Sequence, residues 1–308
     1  MIRLGTRGSV LARWQSDWAA GQLAELGINV EIIVIQTSGD LVQHESIINI
    51  GAQGVFTKEI QRALLENQID VAVHSLKDLP TDPVPGLSLA AVPKRGSHRD
   101  AFLSLHSATI DGLPPDSRIG TGSLRRKTQI LHCFGEKYRV DDIRGNVETR
   151  LRKLEQGEYD AVILAEAGLM RLGFADRIRS FLEPPFFFPA IGQGALGLEI
   201  RSDDQETAMT LAPLSDEATF AAVKAERAML RTLQGGCSAP IAALGEVQNA
   251  VLSLQGRVLS LDGKEMYETT LSTPFSTPLS SDPEELGVRV AEELLKKISG
   301  GTDAAFTG

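Results

Sequence analysis

Twice in this chain a short apolar run ends in a glycine–threonine turn and passes directly into a segment of helical periodicity. Residues 2–5 lead through Gly5-Thr6-Arg7-Gly8-Ser9 into a helix predicted over 9–26, which stops at Gly27. Residues 118–120 lead through Gly120-Thr121-Gly122-Ser123 into a helix predicted over 124–134. The sequel repeats as well: helical periodicity at 58–67 followed by an apolar stretch from 70 is echoed by 147–156 and then 160–164. Further strands are predicted at 30–35, 70–74 and 138–143. Strands that alternate with helices predict a mainly parallel sheet with helices packed on its faces. Two rounds of the same order predict two similar α/β domains facing each other across a cleft, a usual place for a small-molecule site.

The last third of the chain has a different grammar. A long amphipathic helix is predicted over 216–233 and is followed by Gly235-Gly236-Cys237. Three β-rich stretches come next, near 241–244, 251–259 and 265–271, and a helix over 283–298 closes the segment. Strands grouped between helices predict a small α+β domain. The polar, glycine-punctuated stretch 36–54 reads as a mobile loop over the cleft, and 300–308 as a disordered tail.

With 42% hydrophobic and 23% charged residues, the chain has the composition of a soluble globular protein. It contains no apolar run long enough for a membrane helix. The N-terminus lacks the pattern of a secretory signal, and the two cysteines, Cys133 and Cys237, make no metal or redox spacing. A reduced cytoplasm is the expectation. The net charge of −9 argues against a general nucleic-acid or membrane-surface binder. Yet between residues 118 and 153 ten Lys and Arg stand against four Asp and Glu. That excess fits a solvated basic helix face, and it also fits a site for carboxylates or phosphates. Most of the cations are arginines, whose guanidinium binds such groups in two-pronged geometry.

Both glycine–threonine turns offer free backbone N–H groups and a helix dipole to an anion. Ser9 and Ser123 serve equally well as plain helix caps. Arg7 in the first turn, and Arg125 with Arg126 just inside the second helix, shift the balance. Cations in the first turn of a helix are locally unfavourable, so they call for an anionic partner. His74-Ser75-Leu76-Lys77-Asp78-Leu79-Pro80 stands at the C-terminal end of an apolar strand, where open α/β sheets bind ligands. Lys77 and Asp78 form either an ordinary turn pair or a carboxylate placed to move protons and stabilise positive charge. Arg144, Gly145 and Arg150 surround a helix start capped by Asn146; with Arg171 they make either a polyanion cradle or separate surface ion pairs. Cys237, in a tight glycine–proline loop, suits a reactive thiol, whereas Cys133, inside an amphipathic helix, reads as a core residue.

These segments together resemble the porphobilinogen deaminase (hydroxymethylbilane synthase) family along essentially the whole chain. The resemblance is carried by Gly5-Thr6-Arg7, Phe56-Thr57-Lys58-Glu59, Val73-His74-Ser75-Leu76-Lys77-Asp78-Leu79-Pro80, Ile119-Gly120-Thr121-Gly122-Ser123-Leu124-Arg125-Arg126, Arg144-Gly145-Asn146-Val147, Ala167-Gly168-Leu169, Gly192-Gln193-Gly194-Ala195 and Gly235-Gly236-Cys237. It implies two α/β domains like those of periplasmic binding proteins, 1–96 with 195–215 and 97–194, plus a third α+β domain, 216–308. It implies a dipyrromethane cofactor joined by a thioether to Cys237, and Asp78 as the catalytic aspartate. By the same resemblance Arg7, Ser9, Lys77, Thr121, Ser123, Arg125, Arg126, Arg144, Gly145, Arg150, Arg171 and Gln193 bind the carboxylates of cofactor, substrate and growing chain. It implies porphobilinogen as the substrate, no metal, and a monomer. One departure stands out. Where bacterial members of the family are expected to carry Gly-Lys-Gly, this chain has Ala52-Gln53-Gly54. Two rival readings are an anion-binding module without catalysis and a phosphate-ligand transferase, the latter lacking a Gly-Lys-Ser/Thr phosphate loop.

Overall fold

The computed structural model describes residues 1–35, 57–234, 240–277 and 281–300. The chain divides into two compact units, one of Met1–Gly96 with Ala195–Phe220 and the other of Ser97–Gly194 with Ala221–Gly308.

The first unit is built on β1 (Ile2–Thr6), β2 (Val30–Val34), β3 (Val71–Ser75), β4 (Leu87–Ala91) and β10 (Leu196–Arg201), ordered β2-β1-β3-β10-β4. β1 runs parallel to both β2 and β3, while β10 is antiparallel to β3 and β4. α1 (Val10–Glu25) begins at Ser9, whose side chain accepts from the Ala12 amide, and ends before Gly27, held at φ +77°. α1 buries Ala19 and Leu23 on a face of the sheet made by Leu4, Val71, Val73 and Leu198. α2 (Lys58–Leu65) covers the opposite face, with Ile60 and Leu64 against Ile69, Ala72 and Leu87. Successive residues of β3 thus serve opposite layers, which is why the strand reads as continuously apolar. Full burial of each Leu or Ile here is worth about 1.5–3 kcal/mol.

The second unit repeats this plan with β5 (Asp100–Ser104), β6 (Arg118–Gly120), β7 (Arg139–Asp141), β8 (Ala161–Ala165) and β9 (Ser180–Leu182), in the order β7-β6-β8-β5-β9. β6 is parallel to β7 and β8, and β5 is antiparallel to β8 and β9. α3 (Leu124–Phe134) packs Ile130 on Ile119, Ala161 and Ile163. On the other face, α4 (Val147–Glu155) and α5 (Glu166–Arg171) pack Leu151, Leu154 and Leu169 on Val162 and Leu164. The same unit holds the antiparallel sheet β11 (Ile241–Gln248), β12 (Val251–Leu259) and β13 (Met266–Pro274). It is packed by α7 (Glu217–Thr232), which follows α6 (Gln205–Leu211), and by α8 (Pro283–Ser299).

The expected class, two α/β sheets and a small α+β part, is the observed one. The mainly parallel sheet is not: each five-stranded sheet has two parallel and two antiparallel pairings. The antiparallel strands β10 and β5 are almost fully buried. A strand buried on both faces shows the same apolar run whichever way it points, so direction is not written in its pattern. Cys133 also departs from expectation, for it is exposed. The inward face of α3 is drawn by Arg125, Arg126, Thr128, Gln129 and Ile130; Cys133 shares that face by spacing but stands in the helix's last turn, where it is exposed. The stretch 36–54 lies outside the described residues, as does the tail from 301.

Candidate active site

In the first unit the carboxyl ends of β1 and β3 are neighbours, so the turns that leave them share one sheet edge. Arg7 and Ser9 follow β1, and Lys77 and Asp78 follow β3. The second turn is pinned from below. Leu76 and Leu79 are buried, the Leu76 amide donates to Ala195 O at 3.1 Å, and the Asp78 amide donates to Ser75 O at 2.9 Å. Gln15 of α1 donates to Ser75 Oγ at 2.8 Å and ties the two turns' supports together. Beneath them His74 and Gln61 both reach Glu199, at 3.0 Å and 3.1 Å, in a buried network. The outcome is a rigid turn that leaves the Asp78 side chain in solvent and Lys77 half-buried.

In the second unit β7, β6 and β8 are adjacent and parallel, and their carboxyl ends carry most of the other predicted residues. Thr121, buried, and Ser123, half-buried, follow β6. Ser123 is the N-cap of α3, yet its side chain makes no cap bond. After β7, Arg144 Nε donates to Asp142 at 2.6 Å and Arg150 Nε to Gly145 O at 2.8 Å. Gly145 sits at φ +111°, where a Cβ would meet Thr149 Cγ2 at 2.6 Å, so only glycine is accommodated there. After β8, α5 ends on Arg171, which donates to Gly194 O at 2.8 Å and whose pKa burial pulls below its usual value.

Arg125 and Arg126 are placed differently from their fellows. Both are buried, and both turn to Asp100 at the start of β5. Arg126 Nε and Nη2 donate to Asp100 Oδ1 at 3.1 Å and 2.7 Å, and Arg125 Nη2 lies 2.8 Å from Oδ2 in an ion contact that lacks hydrogen-bond geometry. Arg125 also donates to Phe188 O, and Arg126 to Ile163 O at 2.9 Å. Gln193 joins the cluster, donating to Asp100 Oδ1 at 2.9 Å and His98 O at 2.7 Å. The chain itself thus supplies one anionic partner to the two arginines of the helix start. Sequence reasoning missed Asp100 in that role. The available signal was the pair of first-turn arginines, but nothing local marks a carboxylate some 25 residues earlier as their partner. Glu226 was missed as well. It is fully buried on α7 and accepts from the amides of Gly192 at 2.6 Å and Gly245 at 2.9 Å, tying the Gly192-Gln193-Gly194 turn to α7 and β11. Cys237, Gln53 and their neighbours lie outside the described residues.

Two sheet edges furnished with cations and hydroxyls, one of them presenting a solvent-facing carboxylate on a rigid turn, define an α/β protein equipped to handle carboxylate ligands. The sequence comparisons make the class specific. A family model described as porphobilinogen deaminase, dipyromethane cofactor binding domain, matches residues 2–209, and that of the porphobilinogen deaminase C-terminal domain matches 220–296. A porphobilinogen deaminase of Trichlorobacter lovleyi is 46% identical over 296 residues, 96% of this chain and 93% of that one. One of Syntrophobacter fumaroxidans is 46% identical over 88% of each chain, and one of Gloeobacter violaceus 45% identical over 95% and 90%. A solved methionine-binding protein, MetQ, is similar at 12% identity and a TM-score of 0.45 over 69% of this chain and 89% of that one. The chain belongs to the porphobilinogen deaminase family. It is a transferase of tetrapyrrole biosynthesis, and the family's cofactor is dipyrromethane. Family membership sets aside both the non-catalytic receptor and the phosphate-ligand transferase.

The residues fit such a cofactor, whose pyrroles carry carboxylates. Both α1 and α3 lack acidic residues in their first turns, which leaves those N-termini open to an anion. In the Asp100 cluster two cations meet one anion, and Arg125 Nε is buried without a hydrogen-bond partner. Among the described residues no cluster of His, Cys, Asp and Glu is able to hold a metal ion, and no helix is long and apolar enough to cross a membrane.

Proposed function

We propose that this chain joins four porphobilinogen molecules head to tail, with Asp78 as its catalytic carboxylate and Cys237 as the thioether attachment point of the dipyrromethane. The observation that supports the reading best is the setting of Asp78: exposed, on a turn anchored by two buried leucines, and on the sheet edge that also carries Arg7 and Ser9. The bound cofactor supplies the nucleophilic carbon to which the first substrate is joined. As ammonia leaves a porphobilinogen, positive charge develops on its pyrrole nitrogen. A carboxylate held there stabilises that charge and takes up the proton lost when the new bond forms.

Arg7, Ser9 and Lys77 from the first unit, and Thr121, Ser123, Arg144, Gly145, Arg150 and Arg171 from the second, bind acetate and propionate groups. Guanidinium forks, hydroxyls and helix N-termini are the donors that carboxylates need. A chain of six pyrroles brings about a dozen carboxylates, on reference pKa values, which accounts for an arginine-rich region in an acidic protein. Arg125, Arg126 and Gln193, gathered at Asp100 next to the turn at 121–123, belong to the same carboxylate-binding set. The chain works as a monomer in the cytoplasm, organised as three domains, 1–96 with 195–215, 97–194 and 216–308. Asp78→Ala is expected to lower porphobilinogen consumption by roughly 100- to 10,000-fold, the usual worth of a positioned acid–base group. The melting temperature and the two-pyrrole mass addition stay as in the parent protein. Near-parental turnover in that variant removes Asp78 from the role, and a parent protein that consumes no porphobilinogen overturns the function.

A further inference from the structure

We propose that Asp100 is a positioning residue for carboxylate binding at the turn 121–123, fixing Arg125 and Arg126 under the first turn of α3; the proposal rests on reading that turn as a carboxylate subsite. Asp100 is 1% exposed and lies on the antiparallel strand β5, paired with Ala165 of β8. Its Oδ1 takes three donors: Arg126 Nε, Arg126 Nη2 and Gln193 Nε2. Its Oδ2 faces Arg125 Nη2. The remaining guanidinium contacts run to Phe188 O and Ile163 O, so the two arginines bolt the start of α3 to β5, β8 and the segment at 188.

The cluster holds two positive charges against one negative charge in a dry setting, where an uncompensated charge is costly. Such an arrangement persists where it serves a nearby anion. It sits under a helix start with no acidic residue in the first turn and with an N-cap side chain that makes no cap bond. Charge and dipole there point the same way, towards an anion at the turn. Asp100 lets this excess exist: it holds two like charges side by side and in one geometry. Without it the guanidinium groups repel each other and swing apart, and the turn above them loses its support.

The test compares Asp100→Asn and Asp100→Glu with the parent protein, each incubated with porphobilinogen. Three quantities are read: far-UV circular dichroism with the melting temperature, the fraction of molecules carrying two extra pyrrole units by intact mass, and KM and kcat of the loaded fraction. The expected result is folded Asp100→Asn protein loaded about tenfold less than the parent, with Asp100→Glu in between. The loaded fraction shows KM raised about fivefold or more while kcat changes little, the signature of lost binding rather than lost chemistry. A folded variant that loads fully with the parental KM overturns the proposal. So does a loading defect that merely tracks the unfolded fraction with KM unchanged. Should Asp100→Asn fail to fold, Asp100→Glu decides alone, since it keeps the charge and moves it by one methylene. Absence of the mass addition in the parent defeats the carboxylate-subsite reading itself, and the role of Asp100 falls with it.

Discussion

Asp70 and Asp100 illustrate what a single carboxylate can organise. Asp70 accepts from Arg3 Nε and Nη2 and from Arg201 Nη2, and Asp100 is gripped by Arg125 and Arg126. Burial pushes both carboxyls up, but the arginines outweigh it and hold each at about 2. A carboxyl whose folded pKa is depressed stabilises the fold above its unfolded value, near 4, and loses that contribution as the pH falls through its folded value. For Asp70 this is worth about 2 kcal/mol. The urea midpoint is therefore expected to be level from pH 7 to about pH 5 and to fall between roughly pH 4 and pH 2. Asp70→Asn should flatten part of that fall, and a parent protein equally stable at pH 2 and pH 7 rejects the account. At this scale the sequence was readable wherever a residue acts on its neighbours. Ser9 and Asn146 are caps, and Gly145 occupies a conformation that demands glycine. It was unreadable where the partner is remote, as for Asp100 and Glu226, because a carboxylate far along the chain leaves no local trace.

Whole elements were legible in proportion to how strongly their ends are signalled. α3 spans the predicted 124–134, and α1 ends beside the predicted Gly27, because caps and glycines act within a turn of the helix. β4, β5, β9 and β10 were not anticipated, and all four lie in antiparallel pairings whose partners come from elsewhere in the chain. The contact of α7 with α8 is equally hidden in sequence. A Cβ on Gly287 of α8 would stand 2.2 Å from Ala225 O and 2.9 Å from the Met229 amide of α7. Backbone atoms cannot step aside as a side-chain tip does, so Gly287→Ala must push the two helices apart over the β11–β13 sheet. The expected cost is about 1–3 kcal/mol, outweighing the gain in helix propensity of roughly 1 kcal/mol, and urea unfolding measures it directly. A variant as stable as the parent shows that the two helices are free to separate without loss of packing.

At the scale of the whole molecule, the repeated glycine–threonine turn announced two sheets of one topology, and β1 and β6, each second in its sheet, do occupy equivalent places. In the sequence Cys237 follows α7, and α7 is itself locked by Glu226 to Gly192 and Gly245. A cofactor tethered there would hang from a firm support. The chain's other thiol offers a contrast. Cys133 is exposed in the last turn of α3, its Sγ 3.9 Å from Phe186 O, and the partial burial of that sulfur raises its pKa, which opposes formation of the nucleophilic thiolate. Intact mass therefore separates the two cysteines without any assay of turnover. The parent protein is expected to exceed the 33.2 kDa of its sequence by two pyrrole units. Cys133→Ser should retain that addition, and Cys237→Ser should lose it even after incubation with porphobilinogen. If Cys133→Ser were the variant that lost it, the attachment point would move to the second unit's α3. The carboxylate ligands proposed around the 121–123 turn would then have to be reassigned to a cofactor anchored at the far end of that same helix.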